Sequence, residues 1–563
     1  MGSINSAADR NPAWVLWLVP SASDLLFAAL LGMLVFTNLS VRLLGDAGIG
    51  WHIRTGQLIL ATHSVPRVDP FSASMTGQPW FAWEWLYDVL VGWLDRAAGL
   101  NGVVLFTAVI IATAFSWTLR LLVRRGTNVL LALILVLLAA SAAMIHFFAR
   151  PHVVSWLFTI VWFWALESPE KDCDSGSRRA WLIWFLPLTM LVWVNVHGGF
   201  LVGFVLLGIH WACAAWEWFG VSLNLTEGSF EDVLRGIRAG RRVRTLTLAG
   251  LLSAAATMVN PYGLKLHVHI YGYLSNRFLM NHIDEFQSPN FHYVAQKCFA
   301  GLLLLTLVAL AVKRREASAT HFLVVLFAVY SGLYASRNIP VSALLLILVI
   351  GPWLSDAIDR LAARFADQGL KLQRLNFVST PFLQRMKVVE LSLRGHVWPI
   401  AAIVFTCWIA AHGGKLATAP LMDAHFDTKR FPAAALDYLQ KQNVRSPLLS
   451  PDDWGGYLIY RLYRYSDSDH YSGPDHPYPN TGIKVVIDDR HDFYGEKFLK
   501  SYLKMMHAEP GWEEFLESHP SRVIVPKNST LANLLGVTAG WRAIYSDDVA
   551  VAFEDKPPMN RIQ

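Results

Sequence analysis

Apolar runs long enough to be helices alternate with short polar connectors over the first three quarters of the chain, and this pattern stops near residue 420. A helix needs roughly 20 mostly apolar residues, about 17 to 25, to cross the hydrocarbon of a bilayer. The clearest candidates are 25–44, 103–119, 129–148 and 200–216; shorter ones are 153–166, 181–196, 246–258, 299–312, 322–333, 341–353 and 397–411. The shorter runs must borrow polar or aromatic flanks to span. Together they predict a multi-pass helical membrane bundle of about 11 crossings.

The connectors carry the orientation signal. Arg120, Arg124 and Arg125 share one, Arg235, Arg238, Arg241, Arg242 and Arg244 a second, and Lys313, Arg314 and Arg315 a third. An N-terminus in the cytoplasm and an odd number of crossings put all three inside, along with the mixed loop 167–179 and the basic stretch 356–396, as cationic connectors prefer. Everything after 411 then lies outside. The segment 45–98 becomes a long first exterior loop of a transmembrane unit, 1–419. The start of the chain lacks a basic region and small-residue cleavage site, so the first apolar run is expected to be retained.

From about Pro420 the composition turns mixed. Strand candidates at 483–488, 522–526 and 549–554 alternate with helical stretches at 431–440 and 496–507, which predicts a small extracytoplasmic α/β domain, 420–563. The polar, Gly- and Pro-containing stretch 465–482 is expected to be a surface loop.

Composition agrees with a membrane protein: of 563 residues 54% are hydrophobic and only 16% charged, and the mean hydropathy is +0.36. The net charge of +6 is divided among connectors and forms no single field, so nucleic acid is not an expected partner. The four cysteines, Cys173, Cys213, Cys298 and Cys407, are too far apart in sequence for a disulfide framework or a metal-ligand pattern.

With that topology the polar clusters between helices fall on one face. Asp46, His52, Arg54, Asp69 and Glu84 lie in the first exterior loop, Arg150 and His152 in the second exterior turn, Asn195 and His197 in the third, Asn260 opens the fourth, and Arg337 is in the fifth. Each has a structural explanation. Asp46 would cap a helix starting near Trp51; "IGWHIRTGQLIL" would be an interfacial amphipathic helix with His52 and Arg54 in water; the arginines would anchor to headgroups; Asn195 and Asn260 would shape turns. Ionisable groups converging near a bilayer also point to function. Arg150, His152, His197 and Arg337, with His52 and Arg54 nearby, suit a phosphate or pyrophosphate, because guanidinium groups grip its oxygens in pairs. An acid, Asp46 or Glu84, would take a proton from an acceptor or hold a divalent cation.

The stretch "GDAGIGWHIRTGQLIL...HSVPRVDPFS...GQPWFAWEWLYDVL", together with "DDWGGYLIYRL", "VVIDDRHDFYG" and "WRAIYSDDVAVAFE" in the tail, resembles a bacterial group within the GT-C class of integral-membrane glycosyltransferases. The resemblance implies transfer of a sugar from a polyprenyl-phosphate donor to a glycan, lipid or protein acceptor on the noncytoplasmic face of the bacterial inner membrane, usually with inversion. It places the essential acid at Asp46, with Glu84 and then Asp69 as the candidate second carboxylate. Relatives in the class often have two adjacent acids, whereas Ala47 follows Asp46 here; a divalent cation, Mg2+ or Mn2+, held by Asp46 and Glu84 is the corresponding expectation. A lipid or solute transporter, and a noncatalytic membrane scaffold with an exterior partner-binding domain, are the alternatives.

Overall fold

The computed structural model describes residues 13–167, 181–223, 229–313, 318–367, 380–444, 446–464 and 482–555. The chain is a multi-pass, mostly helical bundle with a small C-terminal sheet. Among the described residues six helices are long and apolar enough to cross a membrane: Leu16–Phe36, Trp85–Arg124, Val129–His146, Gly198–Val221, Val294–Lys313 and Ser336–Ala362. A seventh span arises if Gln384–Ser392 and Val397–Ala411, bent by 56°, count as one.

This corrects the expected count of about 11. Three of the expected crossings are the short helices His152–Leu166, Leu182–Val194 and Ala319–Tyr334. At 1.5 Å per residue such helices reach only about 20 to 24 Å, short of a hydrocarbon core of about 30 Å. The expected crossing at 246–258 is the end of a longer helix, Phe230–Ala256, whose arginine-rich first half breaks its apolar character. With six or seven crossings, parity no longer fixes the side on which the C-terminus lies.

The two ends of the bundle differ in chemistry instead. Helices Trp85–Arg124 and His152–Leu166 start at Glu84 and Pro151 and end at Arg125 and Glu167, which form an ion pair of 2.8 Å. His321, at the start of Ala319–Tyr334, reaches the same Glu167 at 2.8 Å. The basic connectors thus gather at one end and the polar turns at the other. The long helix Trp85–Arg124 is broken at Ala98 and Gly99, where Gly99 has φ +61. This lets its first turns pack under the first loop before the chain enters the span.

The first loop and the tail are interlocked. The helix Ile49–Thr62 is packed between the long helix and the tail helix Asp452–Leu462. Small residues set both approaches: a Cβ on Gly50 would lie 2.1 Å from the Gly456 carbonyl oxygen, one on Gly456 2.3 Å from the Ala47 oxygen, and one on Gly56 1.7 Å from the Asp88 oxygen. The quoted motifs "GDAGIG" and "DDWGG" are therefore, in large part, two backbones in contact.

The tail sheet has four strands in the order Leu448–Leu449, Arg522–Pro526, Ala550–Asp555, Trp541–Ser546, the first pair parallel and the others antiparallel. Of the expected strands, 522–526 and 549–554 form with small shifts. The stretch 483–488 does not become a strand; Val485 makes single bridges to Leu448 and to Ser72 of the first loop. The expected surface loop lies outside the described residues up to position 481.

Adding a methyl group at Gly456 forces these backbones apart. Gly456→Ala is expected to cost about 1–3 kcal/mol, read as a lower thermal midpoint in detergent, whereas Gly208→Ala, which would meet nothing within 4 Å inside a helix, should not lower it.

Candidate active site

Segments distant in sequence open on one cavity of about 1080 Å³ at the polar end of the bundle. Asp46, Glu84, Arg150, His152, His197 and Arg337 all line it, and the tail adds Arg430, Asp452, Asp453, Asp489, His491 and Asp492. His52, Arg54 and Asp69 are not on its wall.

Asp46 sits in the turn before the helix Ile49–Thr62, where its Oδ1 accepts from the Gly48 amide at 2.9 Å. The same oxygen accepts from Arg150 at 3.1 Å, and the same Arg150 nitrogen donates to Asp489 of the tail at 2.7 Å. The other Asp489 oxygen accepts from the Trp51 indole at 2.9 Å. Burial opposes the charge on Arg150, but Asp46 and Asp489 hold its pKa above the usual arginine value. A Cβ at position 48 would lie 1.4 Å from the Arg150 guanidinium, so a larger residue there would displace this ion pair. Oδ2 of Asp46 has no hydrogen-bond partner among the described residues and belongs to a half-buried side chain on the cavity wall.

Glu84 begins the long helix, fixed by Trp85, whose indole donates to Asn195 at 2.7 Å, and by the Leu86 amide, which donates to the Asn195 carbonyl. Its carboxyl makes no close hydrogen bond among the described residues: His52 Nε2 is 3.7 Å away and His197 Nε2 4.0 Å. Burial pushes Glu84 up to about 8, with Arg150 and Arg337 pulling the other way. It is therefore neutral at neutral pH. His52 is fully buried behind it, with Nδ1 2.6 Å from Asp88.

The hydrogen bonds around His197 fix its tautomer. The Gly199 amide donates to its Nδ1 at 3.0 Å, and Ser155 lies 2.8 Å from the same nitrogen while accepting from the Trp193 indole at 2.7 Å. With Nδ1 an acceptor and the ring kept neutral by burial, the proton is on Nε2, pointing towards Glu84 on the cavity wall. His152 places Nε2 2.8 Å from the His146 carbonyl, a contact in which that nitrogen donates and leaves Nδ1 as the acceptor.

Arg337 is paired with Glu285 at 3.0 Å and stacks on Phe286 at 4.5 Å. Burial works against ionisation of Glu285, yet Arg337, His146 and Arg150 hold it down at about 2. Arg430, by contrast, lines the cavity, is exposed and forms no ion pair with a described residue. Its guanidinium rests over Phe431 at 5.6 Å.

The three expected residues off the wall have structural partners. Asp69 is buried, accepts from Arg490 at 2.9 Å and holds the Phe71 and Ser72 amides at 3.2 and 2.9 Å. Arg490 in turn grips Asp488 through Nε and Nη2 at 2.7 Å each. Asp69 thus welds the first loop to the tail. Arg54 donates to the Tyr460 carbonyl and to Gln57. The helix Ile49–Thr62 is not an interfacial one with His52 in water: Trp51, His52 and Ile53 are all buried. Asn195 and Asn260 are turn residues, Asn260 accepting from the Tyr262 amide at 2.8 Å.

Sequence reasoning missed Asp88, Glu285 and Arg430. Asp88 had a signal, four residues from Glu84 at the spacing that shares a helix face; Glu285 sits in "IDEF" between two apolar runs. Among the described residues no group of three or more His, Cys, Asp or Glu side chains is placed to hold a metal ion.

No protein-family profile matches the sequence, and no curated protein does. Solved structures do match. ArnT from Cupriavidus metallidurans bound to undecaprenyl phosphate is 13% identical, with 94% of this chain and 97% of that chain covered, at a TM-score of 0.43. The oligosaccharyltransferase AglB from Archaeoglobus fulgidus in complex with an inhibitory peptide and a dolichol-phosphate is 12% identical, with 96% and 75% covered, at 0.46. The Archaeoglobus fulgidus oligosaccharyltransferase tethered with an acceptor peptide is 14% identical, with 96% and 74% covered, at 0.47.

A carboxyl whose folded pKa is raised destabilises the fold increasingly as pH rises from its unfolded value to its folded one, because only the unfolded chain releases the proton in that window. For Glu84 the window runs from 4.5 to about 8. The melting temperature of the native protein should therefore fall relative to that of Glu84→Gln between pH 5 and pH 8. Parallel curves would mean that Glu84 ionises normally.

Proposed function

We propose that the chain is a GT-C-type glycosyltransferase that moves a sugar from a polyprenyl-phosphate donor to an acceptor hydroxyl or amine, by a single inverting displacement. The observation that carries this reading is the cavity itself: it gathers the half-buried carboxylate of Asp46, the His197 Nε2–H and the unpaired charge of Arg430 at one end of a membrane bundle. The quoted motifs point the same way.

In the proposed reaction Asp46 Oδ2 accepts the acceptor's proton while the acceptor oxygen or nitrogen bonds to the anomeric carbon. The bond from that carbon to the phosphate oxygen breaks, and its electron pair leaves with the lipid phosphate. Arg430 and the His197 Nε2–H meet the charge that develops there, with Arg337 and Arg150 supplying field from their ion pairs. Below pH of about 8 the neutral Glu84 adds no repulsion to an incoming phosphate. No dication is assigned to Asp46 and Glu84, because the Arg150 guanidinium already stands between Asp46 and Asp489. On this reading chelators should leave transfer intact. The domain limits 1–419 and 420–563 belong to this proposal, the tail closing one wall of the cavity.

Removing the base should cost about 10²- to 10⁴-fold in transfer. Asp46→Asn, assayed for release of lipid phosphate from a panel of polyprenyl-phosphate sugars, is expected to show that loss while still binding undecaprenyl phosphate. Arg430→Ala removes one charge-assisted bond of about 1.5–3 kcal/mol and should weaken undecaprenyl phosphate binding about tenfold or more. Full transfer by Asp46→Asn would refute the assignment.

A further inference from the structure

A second cavity, of about 360 Å³, lies between the helices Leu201–Leu223 and Phe230–Ala256. Leu201 lines the first cavity, whereas the second is lined by His210 to Glu217 of the same helix, about 14 to 24 Å further along at 1.5 Å per residue. It therefore belongs to the basic end of the bundle and has no part in the proposed transfer.

Its construction follows from "RGIRAGRR". Gly236, Ala239 and Gly240 recur at helical spacing and face the neighbouring helix: a Cβ on Gly236 would lie 2.8 Å from Val221 and one on Gly240 3.0 Å from Trp218. Arg235, Arg238 and Arg242 recur at i, i+3 and i+7, and so form a stripe beside that seam. All three line the cavity, opposite His210 and Glu217.

The cavity's positive charge is largely uncompensated. Glu217 is 4.0 Å from Arg235, which also reaches Asp232 at 3.4 Å. Arg242 donates to the Leu166 carbonyl. Arg238 is exposed and forms neither ion pair nor hydrogen bond with a described residue. The nearest buried carboxylate, Glu167, is taken by Arg125, His210 and His321. Around this basic cavity the surface is apolar and uncovered: Trp216 is 80% exposed, Phe219 60% and Phe230 77%. Aromatic residues of this kind sit at the headgroup level of a bilayer, and a basic pocket between helices at that level fits an anionic headgroup.

We propose that this cavity binds the phosphate of an anionic glycerophospholipid from the adjoining leaflet, with Arg235 and Arg238 as its main contacts. A free phosphate ion would share the guanidinium contacts but would gain nothing from the aromatic skirt.

The test is native mass spectrometry of the full chain released from nanodiscs of phosphatidylcholine with one tenth phosphatidylglycerol. Retained phosphatidylglycerol should exceed its share of the bilayer, and Arg235→Ala/Arg238→Ala should weaken its binding about thirtyfold, taking about 1 kcal/mol per arginine near the surface. The control Arg241→Ala/Arg244→Ala alters two exposed arginines off the cavity wall and should retain most of it. Both double variants keep the glycine seam, and equal thermal midpoints would verify their folding. Absence of enrichment, equal loss in the two double variants, or displacement of the lipid by millimolar inorganic phosphate would each overturn the proposal.

Discussion

Arg150 is the contact on which the polar end of the molecule depends. Its guanidinium joins Asp46, from the turn after the first span, to Asp489, from the tail some 440 residues later in the chain. A charge taken out of water is tolerated when it is paired. The absence of a side chain at position 48 leaves room for the guanidinium, and Trp51 follows one turn later to hold the far oxygen of Asp489. A second weld, Asp69–Arg490–Asp488, runs parallel to it. The tail is thus part of the cavity wall and not an appendage on a flexible stalk.

This arrangement divides the cavity chemically. The tail contributes mostly carboxylates, with Asp452 bound to His491 at 2.6 Å and burial pushing Asp453 up to about 6. The bundle contributes imidazoles with fixed tautomers, together with Arg150 and Arg337 in their ion pairs. Glu84, neutral below about 8, lies on the cavity wall near His197 and adds no negative charge there.

Much of this was legible in the sequence, for a physical reason. Polar groups between apolar runs are few, and those left unexplained as basic anchors gathered on one side, so Asp46, Glu84, Arg150, His152, His197 and Arg337 could be picked out before their meeting was known. What could not be read was which charges are already spent. Asp69 and Arg54 resemble site residues in composition, and only the tail's Arg490 and Tyr460 show them to be structural. Glu285 and Arg430 depend on folds of loops that no periodicity reports. The crossing count failed because an apolar run can form a helix too short to cross a bilayer: Leu182–Val194 has only 13 residues.

The central claim is that a lipid phosphate and an acceptor meet in the cavity beside Asp46. A structure of the full chain in a lipid nanodisc with undecaprenyl phosphate measures this most directly. The account predicts phosphate density within hydrogen-bond reach of Arg430 and His197 Nε2, inside the cavity that Asp46 lines. Phosphate bound elsewhere on the molecule, with this cavity unfilled, would contradict it.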